Sequence, residues 1–179
     1  GQDVIFPHHE NEIAQSELYT GNNPFVNFWV HNGLLRLSDD DTEKMTRHTG
    51  NFISCREALD AHSSDALRIF FLSSHYRSPL TYSEEGVDAA ERSLQRLKNS
   101  LREDNDHNSD AEILSATEFS DRFVSAMEDD LNTPQALASL FDLAREINRF
   151  KGAGISVSGA QSVLKELGLV LGISFDNQG

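Results

Sequence analysis

Residues 6–17 read FPHHENEIAQSE and predict a helix whose first turn carries histidines and carboxylates. Pro7 suits the first helical turn, because its φ is already helical and its missing N–H would have no partner there. In a helix that begins here, His8 and Glu12 are four residues apart and share one face. His9 and Glu12, three residues apart, form a competing pair.

An imidazole and a carboxylate on one helix face can supply half of a zinc site, because zinc accepts nitrogen and oxygen ligands. Thiolates suit the remaining positions of such a site. A solvated polar pair has the same spacing, so the pattern by itself leaves both interpretations open.

The composition is typical of a globular protein with one or two compact units, since 38% of its 179 residues are hydrophobic and 25% are charged. A formal net charge of −14 argues against strong non-specific adhesion to nucleic acid, which requires phosphate neutralisation. No apolar run approaches the roughly 20 residues of a membrane span, so no membrane partner is expected. A local basic face remains compatible with the net charge, because cations cluster on two segments, at Arg92, Arg96 and Lys98 and at Arg145 and Arg149.

The chain contains one cysteine, Cys55, which cannot form a disulfide within the chain. A single thiol is compatible with a reducing cytosol, so a cytoplasmic location is expected. The chain opens within a motif and not at a methionine, so we expect it to be a piece of a longer protein.

Three short stretches near the N-terminus predict strands of an α/β sheet. Residues 1–5 are interpreted as the end of a strand and its turn, with Asp3 where a carboxylate can accept from a ribose hydroxyl. Residues 25–30 predict a buried strand, and residues 34–37 predict a second strand after a tight turn. His31 in that turn is interpreted as a histidine that bonds to the backbone, with a direct catalytic role as the alternative.

The chain from residue 54 onward is predicted to be mainly helical. Ser54, Ser63 and Ser83 are expected to cap three helices, because serine accepts from the first-turn N–H groups. Thr133 is expected to cap a fourth helix. The helix after Ser83 has one apolar stripe at spacings of three and four, formed by Val87, Ala90, Leu94, Leu97 and Leu101.

The remaining elements follow from the same periodicity. Residues 118–130 predict a helix, and residues 158–171 predict the last one. Residues 103–111 predict a polar loop, and residues 172–179 are expected to fray. The side chains expected to point inward from these two helices are Phe119, Phe123, Val124, Met127, Val163, Leu164, Leu167 and Val170.

Residues 43–52 read EKMTRHTGNF and predict a charged, glycine-containing loop. Such a loop can clamp a polyphosphate, because Lys44 and Arg47 can stabilise the charge that develops as pyrophosphate leaves. Loops of this composition also occur without a ligand, so the loop's position relative to other motifs decides its interpretation.

Four separated motifs follow the order found in cysteinyl-tRNA synthetases, and the chain resembles that family over nearly its whole length. The motifs are the helix at 6–17 after a G-x-D turn, W-x-H-N-G at 29–33, the loop at 43–52 and H-Y-R-S-P-L at 75–80. An N-T-P-x-A-L stretch at 132–137 is also similar to the family. The chain therefore resembles the distal part of a class I synthetase.

The resemblance implies ATP-dependent activation of cysteine and its transfer to tRNA(Cys). It implies Zn²⁺ held by His8 and Glu12, with cysteine ligands upstream of this chain, and recognition of the substrate thiol by that metal. It implies catalytic roles for Lys44 and Arg47, with Mg²⁺ accompanying ATP. The residues implied to bind ATP are Gly1, Asp3, Lys44, Met45, Thr46 and Arg47.

The signature loop departs from the family at three positions. Thr46 and His48 stand where the family has serines, and Arg47 stands where it has a second lysine. Arginine keeps the charge but presents a planar fork in place of a compact ammonium, so the exchange is not conservative at a phosphate. We expect slower activation, because both positive charges remain.

The fold implied by the resemblance is mixed α/β and mostly α. It places the distal part of a Rossmann-type catalytic domain at 1–50, a stem-contact connector at 51–82 and an antiparallel helical bundle at 83–179. The bundle is implied to hold tRNA on the anticodon side, and a monomer is expected. The isolated chain is expected to bind zinc weakly and not to activate cysteine, because the family's cysteine ligands and H-I-G-H motif are absent from it.

Two alternative functions remain open from the sequence. One is a ligase that activates cysteine but transfers it to a small amino-sugar. The other is a degenerate, non-catalytic synthetase-like module that binds RNA or a protein, for which the altered residues 46–48 are the best support.

Overall fold

The structure is a computed structural model of the chain. It describes residues 1–36, 53–102, 114–151, 153 and 155–175. The chain divides into two units: unit 1 contains the described residues 1–36 and 76–82, and unit 2 contains residues 53–75 and the described residues from 83 onward. The loops predicted at 43–52 and 103–111 lie outside the described residues.

Helices dominate both units. Two short helical turns, Gln2–Val4 and Ile5–His9, precede the first α-helix, and the strands β1 (Leu35–Arg36) and β2 (Leu80–Thr81) belong to unit 1. The α-helices of the described residues are α1 (Glu10–Thr20), α2 (Cys55–Ala61), α3 (Ser64–Leu72), α4 (Glu84–Leu101), α5 (Thr117–Glu128), α6 (Thr133–Lys151) and α7 (Ser158–Val170). The prediction of a mixed, mostly helical fold is confirmed. Within the described part of the chain, no helix combines the length and apolarity needed to cross a membrane.

The helix predicted at residues 6–17 is confirmed as α1 and the turn before it. Phe6 is extended, with φ −124° and ψ 132°, because the ring of a following proline disfavours the helical region for the preceding residue. The predicted strand end at residues 1–5 is wrong. These residues form a helical turn in which the N–H of Val4 donates to the carbonyl of Gly1 at 3.3 Å.

The prediction of a buried strand at 25–30 is also wrong. This stretch forms no strand, and the side chain of Phe28 is 87% exposed. The second predicted strand exists only as β1, and its partner is β2 in a parallel pair, with Leu35 opposite Leu80. An apolar run shows that a segment can be buried, but the pairing partner lies far along the chain and is set by tertiary contacts.

Serine caps begin three helices of unit 2, as predicted. The Oγ atoms of Ser54, Ser63 and Ser83 accept hydrogen bonds from the N–H groups three residues later. The predicted Thr133 cap is wrong by one position, because the Oδ1 of Asn132 accepts from the N–H of Gln135 at 3.3 Å.

The core of unit 2 lies among α3, α4, α5, α6 and α7, and α5 contributes the buried Phe123. On α4 the predicted stripe is buried at four positions, Val87, Ala90, Leu94 and Leu97. Two residues predicted to point inward do not, since Val124 is 49% and Val170 is 62% exposed. An apolar stripe covers only about 100° of the helix circumference, so residues at its margin are the ones that tertiary packing leaves exposed.

Helix directions follow from which residues face one another. The helices α3 and α4 are antiparallel, because the N–H of Ser63 donates to Glu91 while the ring of Phe70 lies against Gly86. The helices α4 and α6 run in the same direction. Residues 86–93 of α4 share a cavity with 134–141 of α6, and later residues of both helices share the next cavity.

The expectation that the C-terminal tail frays from residue 172 is wrong up to residue 175. Ile173 is fully buried, and the backbone of Ser174 and Phe175 donates to the carboxylate of Asp65. Residues 176–179 lie outside the described residues. The tail is therefore part of the packed unit, through a contact that local sequence does not reveal.

Candidate functional site

A cluster of imidazole and indole rings lies at the start of α1 in unit 1. The Nδ1 of His9 is 2.9 Å from the Nε2 of His31, and their ring centroids are 4.8 Å apart. Trp29 stacks on His31 with an angle of 2° between the ring planes. The edge of Phe25 meets the indole at 76°, which is a favourable arrangement for two aromatic rings.

The ring cluster depends on two local features of the sequence. The helical turn over Ile5–His9 positions His9 directly before α1, and the segment after α1 returns Trp29 and His31 to it. Partial desolvation lowers the pKa of His9, and the nearby imidazole of His31 lowers it further. The lowered pKa favours the neutral form of His9, in which one ring nitrogen donates and the other accepts.

His8 and Glu12, the predicted zinc ligands, have exposed side chains: His8 lies in the turn before α1, and Glu12 lies in the first turn of α1. Neither side chain makes a hydrogen bond within the described part of the chain. The competing pair of His9 and Glu12 stays possible, because the His31 contact uses only Nδ1 of His9 and leaves Nε2 available.

The donors present fit part of a zinc site and not a complete one. An imidazole and a carboxylate suit zinc, but a structural zinc site has four ligands and a catalytic one has three protein ligands. Across the described ranges no group of three or more His, Cys, Asp and Glu side chains is assembled for a metal. The one cysteine, Cys55, is exposed and belongs to unit 2.

Gly1 and Asp3, predicted to bind ATP, are brought close together in the first helical turn. A Cβ added to Gly1 would lie 2.8 Å from the Oδ1 of Asp3 and 3.5 Å from the carbonyl of Asn32. The N–H of Gln2 donates to that carbonyl at 3.2 Å. The G-x-D turn therefore adjoins the W-x-H-N-G segment, and a side chain at position 1 would enter the space between them.

A second contact joins the W-x-H-N-G and H-Y-R-S-P-L motifs. The N–H of Gly33 donates to the carbonyl of Tyr76 at 2.7 Å, and a Cβ on Gly33 would lie 2.2 Å from the carbonyl oxygen of Ser78. The sequence pattern does not predict a contact between these two motifs. Gly33 is the residue that could have indicated this contact. A glycine that does not end a helix often marks a place where two backbones approach closely.

The four loop residues predicted to bind ATP, two of them as catalytic residues, lie outside the described residues. They are Lys44, Met45, Thr46 and Arg47.

Residues 1–92 match the family model described as tRNA synthetases class I (C) catalytic domain. The chain belongs to this family of class I (C) tRNA synthetases. Residues 122–176 of this synthetase chain match the DALR domain model. The first match covers unit 1 and continues through α2 and α3 into α4, and the second covers most of α5 and all of α6 and α7. The predicted family is confirmed.

Curated relatives of this synthetase chain carry the name Cysteine--tRNA ligase. The relative from Dehalococcoides mccartyi is 51% identical over 176 residues, which are 97% of this chain and 37% of the relative. The relative from Alkalilimnicola ehrlichii is 50% identical over 183 residues, 99% of this chain and 37% of the relative. That from Halorhodospira halophila is 49% identical over 97% of this chain and 36% of its own length. The chain therefore spans a little over a third of the length of the relatives that it matches.

Proposed function

We propose that the chain is the distal part of a cysteine--tRNA ligase, which activates cysteine with ATP and transfers it to tRNA(Cys). The observation that carries this proposal is identity of about 50% to proteins of that name over nearly the whole chain. Neither an amino-sugar ligase nor a non-catalytic module has comparable support. The complete protein is expected to act as a monomer in the cytoplasm.

The domain assignment belongs to this proposal. Residues 1–50 complete a Rossmann-type catalytic domain, residues 51–82 form the connector that contacts the tRNA stem, and residues 83–179 form the antiparallel helical bundle on the anticodon side. The catalytic-domain match over 1–92 and the DALR match over 122–176 support this order.

ATP is proposed to bind across the G-x-D turn and the signature loop. Asp3 accepts from the ribose hydroxyls, and the missing side chain of Gly1 leaves room for the adenosine beside it. Lys44 and Arg47 neutralise the phosphates, with Mg²⁺, as pyrophosphate leaves, while Met45 and Thr46 complete the loop. The first half of this assignment is supported by the Asp3 carboxylate, whose Oδ1 occupies the space next to Gly1 that a side chain at position 1 would enter.

Zinc is proposed to use His8 and Glu12 as two of its ligands, together with thiolates from a part of the protein outside this sequence. When bound, zinc would supply a soft Lewis acid that prefers the thiol of cysteine to the hydroxyl of serine. The side chains of His8 and Glu12 are both exposed, and the pKa of the adjacent His9 is lowered by partial desolvation and by His31.

Cysteine-dependent exchange between pyrophosphate and ATP tests the proposed activity in the complete protein that contains this chain. We expect exchange with cysteine and little with serine. Arg47→Lys is expected to raise the exchange rate, because an ammonium matches the family's phosphate contact. No exchange in folded, zinc-loaded protein would remove the ligase proposal, and an unchanged rate in Arg47→Lys would remove Arg47 from the phosphate clamp.

Zinc content by elemental analysis tests the metal ligands independently of activity. Glu12→Gln is expected to lose most of the bound zinc, because the amide is a poor zinc ligand. Glu10→Gln is the matched control, since Glu10 is an exposed carboxylate in the same first turn of α1. Equal zinc content in the two variants would exclude Glu12 as a ligand.

A further inference from the structure

A cleft of about 220 Å³ lies between α4 and α6 in unit 2. Its walls combine two guanidinium groups, two carboxamides and an apolar floor, and none of its lining residues is acidic. The lining residues are Arg96, Asn99, Phe141, Ala144, Arg145 and Asn148. Such a composition is unusual in a chain whose net charge is −14.

Helical spacing brings these polar side chains to one place. Arg96 and Asn99 are three residues apart on α4, and Arg145 and Asn148 are three residues apart on α6, so each pair shares a face. Since α4 and α6 run in the same direction, the two pairs meet at the same level of the cleft. The cleft therefore joins the two basic segments that the sequence showed separately.

The guanidinium of Arg96 is held in a defined position. Its Cζ lies 5.5 Å from the centroid of the Phe141 ring, and its Nη2 donates to the Oγ of Ser93 at 3.1 Å. Stacking of a guanidinium on an aromatic ring restrains it while leaving other N–H groups at its edge to bind a ligand.

Arg145 keeps much of its positive charge despite an ion pair. Its Nη1 is 3.0 Å from the Oδ1 of Asp142, but the Oδ2 of the same carboxylate is 2.8 Å from Arg122. One carboxylate is thus shared by two guanidiniums, and the group of three carries a net positive charge. The side chain of Arg145 lines the cleft and is 74% exposed, so a ligand can reach it.

The carboxamide of Asn99 presents donors to the cleft. Its Oδ1 already accepts a hydrogen bond from the Nε2 of Gln95 at 3.0 Å, which leaves its NH₂ group to donate. Guanidinium and amide N–H groups that converge on one cleft match the acceptor oxygens of a phosphate, and Arg binds phosphate with two parallel hydrogen bonds.

We propose that this cleft between α4 and α6 binds a backbone phosphate of tRNA. This inference rests on the proposed function, because a synthetase must hold tRNA. Repulsion by a net charge of −14 opposes diffuse adhesion, so RNA must be held at local cationic sites. The cleft supplies one, with two arginines of which one is oriented by an aromatic ring.

Binding of a tRNA(Cys) transcript by the 179-residue chain, measured at several salt concentrations, tests the proposal. Arg96→Gln with Arg145→Gln is expected to weaken binding about tenfold and to reduce the slope of log K against log salt by about 1. The matched control is Arg56→Gln with Lys165→Gln, which removes two exposed cations from α2 and α7 of the same unit. The control is expected to leave the slope unchanged.

Asn148→Asp provides a second test that preserves both arginines. It places a carboxylate at an exposed position of the cleft, so it should weaken RNA binding without affecting the fold. Equal salt slopes for the wild type, the cleft variant and the control would overturn the cleft proposal. Absence of RNA binding by the wild-type chain would also overturn it. Cysteine-dependent exchange in the complete protein separates these failures from failure of the proposed ligase activity.

Discussion

Asp65 accepts a hydrogen bond from the backbone N–H of Phe175, with 2.8 Å between the nitrogen and Oδ2. The N–H of Ser174 donates to Oδ1 of the same carboxylate at 3.2 Å. Asp65 is only 5% exposed, so these bonds replace the water that its charge has lost. Phe175 has a φ of 61°, which is unfavourable for a residue with a side chain, and the two bonds help to hold it there.

Replacing Asp65 with asparagine is expected to lower the free energy of unfolding by about 2 kcal/mol, because hydrogen bonds to a charged acceptor are lost and an NH₂ group faces a backbone donor. Denaturation by guanidinium chloride measures this difference. Asp121→Asn, at an exposed carboxylate on α5, is the matched control and should stay within about 0.5 kcal/mol of the wild type. Equal unfolding midpoints for the two variants would show that Asp65 does not hold the tail.

Two glycines of α7 are expected to respond to alanine in opposite directions. A Cβ on Gly168 would lie 2.4 Å from the ring of Phe175, whereas a Cβ on Gly159 would meet nothing within 4 Å. Gly168→Ala should lower the melting temperature, because overpacking displaces the ring and costs about 1 kcal/mol or more. Gly159→Ala should raise the free energy of unfolding by about 0.5 kcal/mol through helix propensity. An increase in stability in both variants would refute the packing of Phe175 on Gly168.

Ser54→Ala is expected to raise the pKa of Glu57 and to destabilise α2 by about 1 kcal/mol. The hydroxyl of Ser54 donates to the Glu57 carboxylate, and the backbone N–H of Ser54 also donates to it. Both bonds hold the pKa of Glu57 below the ordinary value of 4.5, and the hydroxyl has the larger effect. Because the folded pKa is depressed, this stabilisation is present above pH 4.5 and is lost as the pH falls through the folded pKa. Titration of the Glu57 side-chain carbon by NMR measures the shift.

Ser83→Ala is the control for that experiment. Ser83 caps α4 by accepting from the N–H of Gly86 at 3.1 Å, so its loss should destabilise the protein by a similar amount. The pKa of Glu57 should not move in this variant. A Glu57 titration that is the same in the Ser54 variant and the wild type would contradict the capping box at α2.

Gly33→Ala is expected to disrupt the pairing of β1 and β2. The new Cβ would lie 2.2 Å from the carbonyl oxygen of Ser78, and this backbone atom cannot turn away as a side chain can. Hydrogen exchange should accelerate at Leu80, whose N–H donates to Leu34 at 2.9 Å. Gly21→Ala is the control: its φ of 71° adds strain of about 1–2 kcal/mol but no clash, so protection at Leu80 should persist. Unchanged protection in Gly33→Ala would rule out the close approach.

The helix starts of unit 2 could be predicted because a cap needs only residues within one turn. The hydroxyl of Ser54 accepts a hydrogen bond from the N–H of Glu57, three residues later, so four consecutive residues are enough to predict this cap. The cap of α6 was predicted one residue late, because Asn132 and Thr133 are both good capping residues. Backbone geometry, with the N–H of Ala136 donating to the carbonyl of Asn132, selects the first.

The error at residues 25–30 has a different cause. Phe25, Phe28 and Trp29 belong to an apolar run that suits a buried strand. A strand also needs a second strand to pair with, and β1 pairs with Leu80–Thr81 instead of this run. Trp29 instead stacks on His31. Hydrophobic periodicity indicates which residues can be buried. It does not identify the distant segment that covers them.

In the candidate site too, local features could be predicted from the sequence and contacts between distant residues could not. Helical spacing alone predicts that His8 and Glu12 share a face, and this pairing stays a prediction, because Glu12 lies in α1 and His8 lies in the turn before it. The contact of His9 with His31 spans 22 positions and was not predicted. Residues 43–52 were identified from their motif, and their roles stay predictions.

The helices, the caps at Ser54, Ser63 and Ser83 and the family could be predicted from the sequence, because each depends on residues within a few positions or on a motif read as a string. The zinc and ATP donors rest on the same kind of motif and stay predictions. Three contacts came from the packing of distant segments: the tail binds Asp65, Gly33 lies against Ser78, and Arg96 and Arg145 share a cleft. Such contacts join residues dozens of positions apart. They are set by how the helices pack, because packing selects one partner among many of similar local chemistry.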